Sequence, residues 1–278
     1  MAQSSISKVR EVLSQKNLSP LKQLGQNFLV DENITAAIAR AAEPQDQNII
    51  EVGPGLGALT EKLAKDAKTL VAVEIDRGIF GYLKETFGTE ENIVLVNEDI
   101  LKTDVEALYK TYFKKGEVVL AANLPYYITS AVIMHFLEAD IPLSHMVVMV
   151  QKEVAERLCA GPGDKTYGAL TAMVQYFGKP ELVMKVSPGC FYPRPEVESA
   201  VVRIRVENKA DQTSQKYIRF VKACFAMKRK TLVNNLIKAG YEKNAILAAL
   251  EAENIDEMAR AETLSTKKLF ALTNSLTR

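Results

Sequence analysis

Along the first two thirds of the chain, short and nearly continuous apolar runs alternate with segments of helical periodicity. NIIEVG (48–53) precedes ALTEKLAKDA, and TLVAVEID (69–76) precedes RGIFGYLKETF. NIVLVNEDI (92–100) leads into DVEALYKTYF, VVLAANLP (118–125) leads into TSAVIMHFLEA, and HMVVMVQKE (145–153) follows. Runs that are apolar at successive positions fit strands covered on both faces by helices. Their alternation with helices predicts an α/β, Rossmann-like, doubly wound parallel sheet.

The pattern changes after residue 178. ELVMKVSPGCFYPRPEVESAVVRIRV (181–206) predicts two strands around a Pro-rich turn, with SAVVRIRV rich in strand formers. ENKADQTSQ (207–215) is polar without apolar periodicity and is placed as a linker. Beyond it the spacing of Tyr217, Phe220, Val221, Cys224 and Phe225 is helical, and the chain ends in helices only. The expected organisation is a Rossmann-like domain over 1–207 with a basic N-terminal arm, and a small all-α domain over 208–278.

Composition narrows the class. With 47% hydrophobic and 25% charged residues, the 278-residue chain is an ordinary globular protein rather than a disordered one. No apolar run is long enough to span a bilayer, and the N-terminus lacks the apolar core of a signal peptide, so a cytoplasmic protein is expected. Cys159, Cys190 and Cys224 lie far apart and suit a reducing compartment. His135 and His145 sit near no cysteine, which argues against a zinc site. The net charge of +1 says little, but its distribution says more. Residues 212–241 carry Lys216, Arg219, Lys222, Lys228, Arg229, Lys230 and Lys238 and no acid, and the first 22 residues also lean basic.

Candidate chemistry gathers at the carboxyl ends of the strands, where doubly wound sheets bind ligands. Gly53, Gly55 and Gly57 in EVGPGLGALTEKL let the chain turn tightly and approach a ligand. Glu74 and Asp76 end the second strand, where a carboxylate grips ribose hydroxyls. Glu98 and Asp99 end the third, placed for an adenine amino group. A dinucleotide is the rival ligand, but the glycines are spaced G-x-G-x-G around Pro54 rather than G-x-G-x-x-G. Three rim features without a pyrophosphate cradle favour S-adenosyl-L-methionine.

The fourth strand stops in Asn123, Leu124, Pro125, Tyr126 and Tyr127. Methyl transfer to an exocyclic adenine nitrogen needs acceptors for its N–H bonds as positive charge develops. The Asn123 side chain and the Leu124 carbonyl supply two, Pro125 fixes the backbone that aims them, and Tyr126 offers a ring for stacking. The rival is that Asn123 merely caps the next helix and Pro125 starts it.

This tetrapeptide resembles the signature of adenine-N6 methyltransferases. The wider series resembles the small-subunit (16S) ribosomal RNA adenine-N6,N6-dimethyltransferase family in order and spacing, from about residue 20 to the C-terminus. It comprises LGQNFLVDENI (24–34), EVGPGLGALT, VEID, NEDI, NLPYYITS, QKEVAERLCAGPGDKTYGAL (151–170), FYPRPEVESAVVRI (191–204) and KRKTLVNNL (228–236). Arg194 stands where that pattern has another proline. The resemblance implies a class I S-adenosylmethionine-dependent methyltransferase acting on two adjacent adenosines near the 3′ end of small-subunit rRNA. Its partners would be that rRNA and the small ribosomal subunit or an assembly intermediate, and it would act as a monomer.

By the same resemblance Asn27 and Leu29 contact the cofactor, Gly53 and Gly55 lie under it, Glu74 holds its ribose and Asp99 its adenine. Asn123 sits at the transfer point, and Phe191 faces Tyr126 across the target adenine, with core packing as the alternative for Phe191. GPGDKTYG (161–168) is expected to be a mobile loop near the active site, and the basic 216–238 segment a phosphate-contacting surface. A non-catalytic assembly factor and a DNA adenine methyltransferase are the rival functions.

Overall fold

The computed structural model describes residues 6–21 and 25–276. Its main element is a seven-stranded sheet of β2 (Asn48–Val52), β3 (Thr69–Val73), β4 (Ile93–Val96), β5 (Val118–Asn123), β6 (Leu143–Gln151), β7 (Gly178–Val186) and β9 (Ser199–Val206), ordered β4-β3-β2-β5-β6-β9-β7. The ladders β3–β4, β2–β3, β2–β5 and β5–β6 are parallel, and β6–β9 is antiparallel. The order reverses between β2 and β5, which opens a crevice at their carboxyl ends. β2 is buried at every position, as its unbroken run requires.

The connecting helices include α2 (Glu32–Ala41), α3 (Ala58–Ala64), α4 (Arg77–Phe87), α5 (Val105–Tyr112) and α6 (Thr129–Leu137). α4 starts where Asp76 caps it, accepting from the Gly78 and Ile79 amides. The N-terminal segment forms α1 (Ile6–Gln15), whose Val9 and Leu13 pack with Phe28, Ile79 and Leu83. Its basic residues are partly engaged: Lys16 pairs with Glu85, and the Arg10 guanidinium lies 4.9 Å from the centre of the Tyr192 ring. Lys22 lies outside the described residues. A second sheet of two residues per strand, β1 (Phe28–Leu29) against β8 (Phe191–Tyr192), pairs Leu29 with Phe191.

Neither of the two compact units is continuous in sequence. The first runs through Ala155 and resumes at Glu181–Val206; the second joins Glu156–Pro180 to the chain from Glu207 onward. A single cut after residue 207 differs from this division, which places Glu156–Pro180 and Glu207 in the second unit. The reason is α8 (Ala169–Phe177), preceded by α7 (Lys152–Leu158): α8 buries Ala172, Val174 and Phe177 within the second unit. There Tyr176 stacks on Tyr217 of α9 (Gln212–Cys224) at 4.4 Å between ring centres, and Phe270 of the last helix, Thr266–Ser275, closes on the same pair. The expected linker over 207–215 is also too long. Asp211 caps α9 by accepting from the Ser214 amide, so the helix starts at Gln212.

The loop 161–168 belongs to this second unit and is anchored rather than loose. The Gly163 amide donates to the Glu262 carbonyl at 2.8 Å, and buried Tyr167 packs on Phe225.

Candidate active site

A cavity of about 200 Å³ opens at the carboxyl ends of β2, β3 and β5, at the crevice set by the strand order. Of the rim residues singled out from the sequence, Asn27, Leu29, Gly53, Gly55, Glu74 and Asp99 line one stretch of its wall and Asn123, Leu124, Pro125, Tyr126 and Phe191 another, whereas Gly57 and Asp76 do not line it.

The floor is the glycine loop between β2 and α3. Gly53, Gly55 and Gly57 have φ of 69°, 57° and 81°, left-handed values that disfavour other residues. Gly57 is the tightest, since a Cβ there would stand 2.3 Å from Cε2 of Phe87. Above the loop, the Glu74 carboxylate accepts from the Asp76 amide at 2.9 Å and the Gly55 amide at 3.3 Å. Burial pushes Glu74 up to about 7, with those two bonds pulling the other way.

Sequence reasoning missed Glu51, the fourth residue of β2. It is 1% exposed and lines the cavity, and its Oε2 has no hydrogen-bond partner. Burial drives its pKa up to about 8; the neighbouring Thr60 hydroxyl opposes the shift without closing a well-formed bond, and the charge of Glu74 adds to it. An acid inside an apolar run was the available signal. Ile75 and Leu101 were missed as well. Both line the cavity while standing 46% and 36% exposed, an apolar rim that suits a flat ring. Asp99, on the same wall, accepts from the Leu101 amide at 3.1 Å and lies 3.5 Å from Lys102.

At the other end of the cavity, Asn123 does not cap a helix. α6 begins only at Thr129, and the Asn123 Nδ2 donates instead to the Asn27 carbonyl at 3.3 Å. With its nitrogen so committed, Oδ1 is the atom left to accept from a ligand. The Leu124 side chain is buried and its amide donates to the Met149 carbonyl at 3.4 Å, while its own carbonyl receives no hydrogen bond among the described residues. Tyr126 and Tyr127 part company: Tyr127 is 64% exposed, whereas the Tyr126 hydroxyl shares a 2.8 Å hydrogen bond with Ser199. Burial raises the Tyr126 phenol above its usual range, so it stays neutral at physiological pH. Phe191 is 3% exposed and packs with Leu29 and Val201 while one side faces the cavity.

The sequence profile of the ribosomal RNA adenine dimethylase family matches residues 18–278. The chain belongs to that family. It is 45% identical over 276 residues to ribosomal RNA small subunit methyltransferase A of Clostridioides difficile, covering 98% of this chain and 96% of that one. The corresponding protein of Geobacillus thermodenitrificans is 42% identical, with 97% and 95% covered. Among solved structures, a dimethyladenosine transferase from Plasmodium falciparum superposes with a TM-score of 0.73 at 27% identity, covering 88% of this chain and 95% of that one. The 23S rRNA methyltransferase ErmE gives 0.69 at 28%, covering 91% and 100%. This dimethylase is therefore a class I, S-adenosylmethionine-dependent methyltransferase acting on ribosomal RNA.

The cavity fits that cofactor. The positive-φ loop gives close backbone approach, the unpartnered Glu51 oxygen offers an acceptor for an ammonium group, and Ile75 and Leu101 offer an apolar slot for a base. Among the described residues no helix is long and apolar enough to cross a membrane.

Proposed function

We propose that this dimethylase methylates N6 of two adjacent adenosines near the 3′ end of small-subunit rRNA, on the small ribosomal subunit or an assembly intermediate, as a cytoplasmic monomer. The observation that carries this reading is the pair of acceptors at the end of β5: Asn123 Oδ1, left free by the bond to Asn27, and the unpaired Leu124 carbonyl. The small-subunit methyltransferases it resembles at 41–45% identity support the choice of rRNA.

When bound, S-adenosylmethionine supplies a methyl group on a positively charged sulfur. Glu74 would hold the ribose hydroxyls, Asp99 the adenine amino group with Ile75 and Leu101 offering apolar contact, and Glu51 the ammonium end. Asn27 and Leu29 form the near wall, and Gly53 and Gly55 the floor. Asn123 Oδ1 and the Leu124 carbonyl accept the two N6–H bonds of the target adenine. As the nitrogen lone pair leaves the ring's conjugation and the nitrogen becomes cationic, both acceptors stabilise it more strongly than in the ground state. Pro125 keeps Leu124 out of the helical region, so its carbonyl needs no rearrangement. No general base is required, because the cationic nitrogen sheds its proton readily. Tyr126 stacks on the base taken out of its helix, and Phe191 closes the opposite side.

RNA is held through the second unit. Lys216, Arg219, Lys222, Lys228, Arg229, Lys230 and Lys238 are all exposed there. The turn carrying Lys228–Lys230 is pinned by buried Asn235, which accepts from the Met227 amide at 2.9 Å and donates back to its carbonyl at 3.3 Å. A fixed basic turn suits a phosphate backbone.

The test is transfer of labelled methyl groups to undermethylated small subunits set beside large subunits. Label in the 3′ region of small-subunit rRNA supports the reading; label confined to large-subunit rRNA overturns it.

A further inference from the structure

β9 runs antiparallel to its parallel neighbour β6, so its first residue, not its last, stands at the rim where the active site lies. That residue is Ser199, paired across the ladder with Gln151 at the carboxyl end of β6. Asn123, at the end of β5, pairs with Met149 on the other side of β6. Tyr126 follows Asn123 by three residues and reaches past the end of β6 to meet the Ser199 hydroxyl at 2.8 Å. Ser199 is 0% exposed, so its end of this bond is shielded from solvent. The position is itself fastened: the Lys152 amide donates to the Glu198 carbonyl at 2.9 Å, and Lys152 Nζ lies 2.7 Å from Glu198 Oε2.

We propose that Ser199 is a positioning residue for methyl transfer, holding the Tyr126 hydroxyl so that the ring stands ready to receive the target adenine. The phenolic oxygen lies on the long axis of the ring. A bond to it leaves rotation of the ring about that axis untouched but stops the whole side chain from swinging about χ1. The swing decides where the ring face is, so fixing it beforehand removes a reorganisation from the step in which the base is captured. The proposal rests on the reading that Tyr126 stacks on the base.

The experiment is a double-mutant cycle in steady-state methylation of undermethylated small subunits, with cofactor affinity measured by calorimetry. Ser199→Ala and Tyr126→Phe should each lower kcat by roughly three- to tenfold, the worth of one neutral hydrogen bond, and leave S-adenosylmethionine affinity unchanged. The double variant should be no slower than the slower single variant, because both remove the same bond. Additive losses, or a Ser199→Ala enzyme of wild-type kcat, would overturn the proposal. If Ser199→Ala does not fold, Tyr126→Phe breaks the bond from its other end, and wild-type kcat there overturns it equally. Tyr126→Ala separates the two ideas. A wild-type kcat in that variant removes the stacking reading and this proposal with it, whereas a crippled Tyr126→Ala beside an unimpaired Ser199→Ala removes this proposal alone.

Discussion

Glu51 and Glu74 share one cavity, and burial raises both, to about 8 and about 7. Their folded values lie above the ordinary carboxylate value of 4.5, so the empty protein holds more protons than its unfolded chain between that value and pH 7 to 8. Stability of the free protein should therefore fall as pH rises through this window, the opposite of a salt-bridged acid. Ribose hydroxyls and an ammonium group both favour the ionised carboxyls, so cofactor binding should expel protons and tighten from about pH 6 to about pH 8. Calorimetry in buffers of different ionisation enthalpy reads that release directly; pH-independent affinity would contradict it. Glu74→Ala should weaken S-adenosylmethionine binding by roughly tenfold to a hundredfold, the loss of about 1.5–3 kcal/mol of charged hydrogen bonds. Unchanged affinity would take Glu74 out of the site. Glu74 was legible in the sequence because an acid closing the second strand has a fixed place in such folds. Glu51 was not, because only the strand's complete burial shows that its carboxyl has no solvent to turn to.

At the level of elements, the strand–helix alternation was legible because each buried strand is an unbroken apolar run. The glycine loop followed from it, since the loop sits where β2 must turn into α3. The α9 start was hidden by a polar first turn, and only the Asp211–Ser214 cap reveals it. β1 and β8 were invisible because two residues carry no periodicity, yet their pairing brings Leu29 and Phe191 together. The loop makes its own prediction. Gly57→Ala forces a left-handed non-glycine residue, costing about 1–2 kcal/mol, and drives a Cβ into the Phe87 ring. Overpacking of that kind adds about 1–3 kcal/mol. Chemical denaturation should show a loss of at least about 2 kcal/mol; a change within about 0.5 kcal/mol, typical of a neutral surface site, would contradict the packing described.

For the whole molecule, the residues that line the strand-end cavity and the basic C-terminal region were legible in the sequence, but not the return of Glu156–Pro180 to the helical unit. That assignment depends on Tyr176 meeting Tyr217 and Phe270, contacts between segments far apart in sequence. Reversing Lys228, Arg229 and Lys230 to Glu tests the role given to this unit. If all three meet phosphate, the log–log salt dependence of subunit binding should flatten by roughly 2 to 3 units, from counterions no longer released. Cofactor affinity should stay unchanged, and parallel salt titrations would mean a solvated face. The central claim, that N6 of adenine is methylated against Asn123 and Leu124, is tested most directly by mass spectrometry of rRNA nucleosides. Wild type and Asn123→Ala would be compared over time on undermethylated small subunits at saturating S-adenosylmethionine. The account predicts N6,N6-dimethyladenosine from wild type, and formation slower by roughly 10²–10³-fold from Asn123→Ala with its cofactor affinity nearly intact. Dimethyladenosine formed by Asn123→Ala at close to the wild-type rate would contradict it.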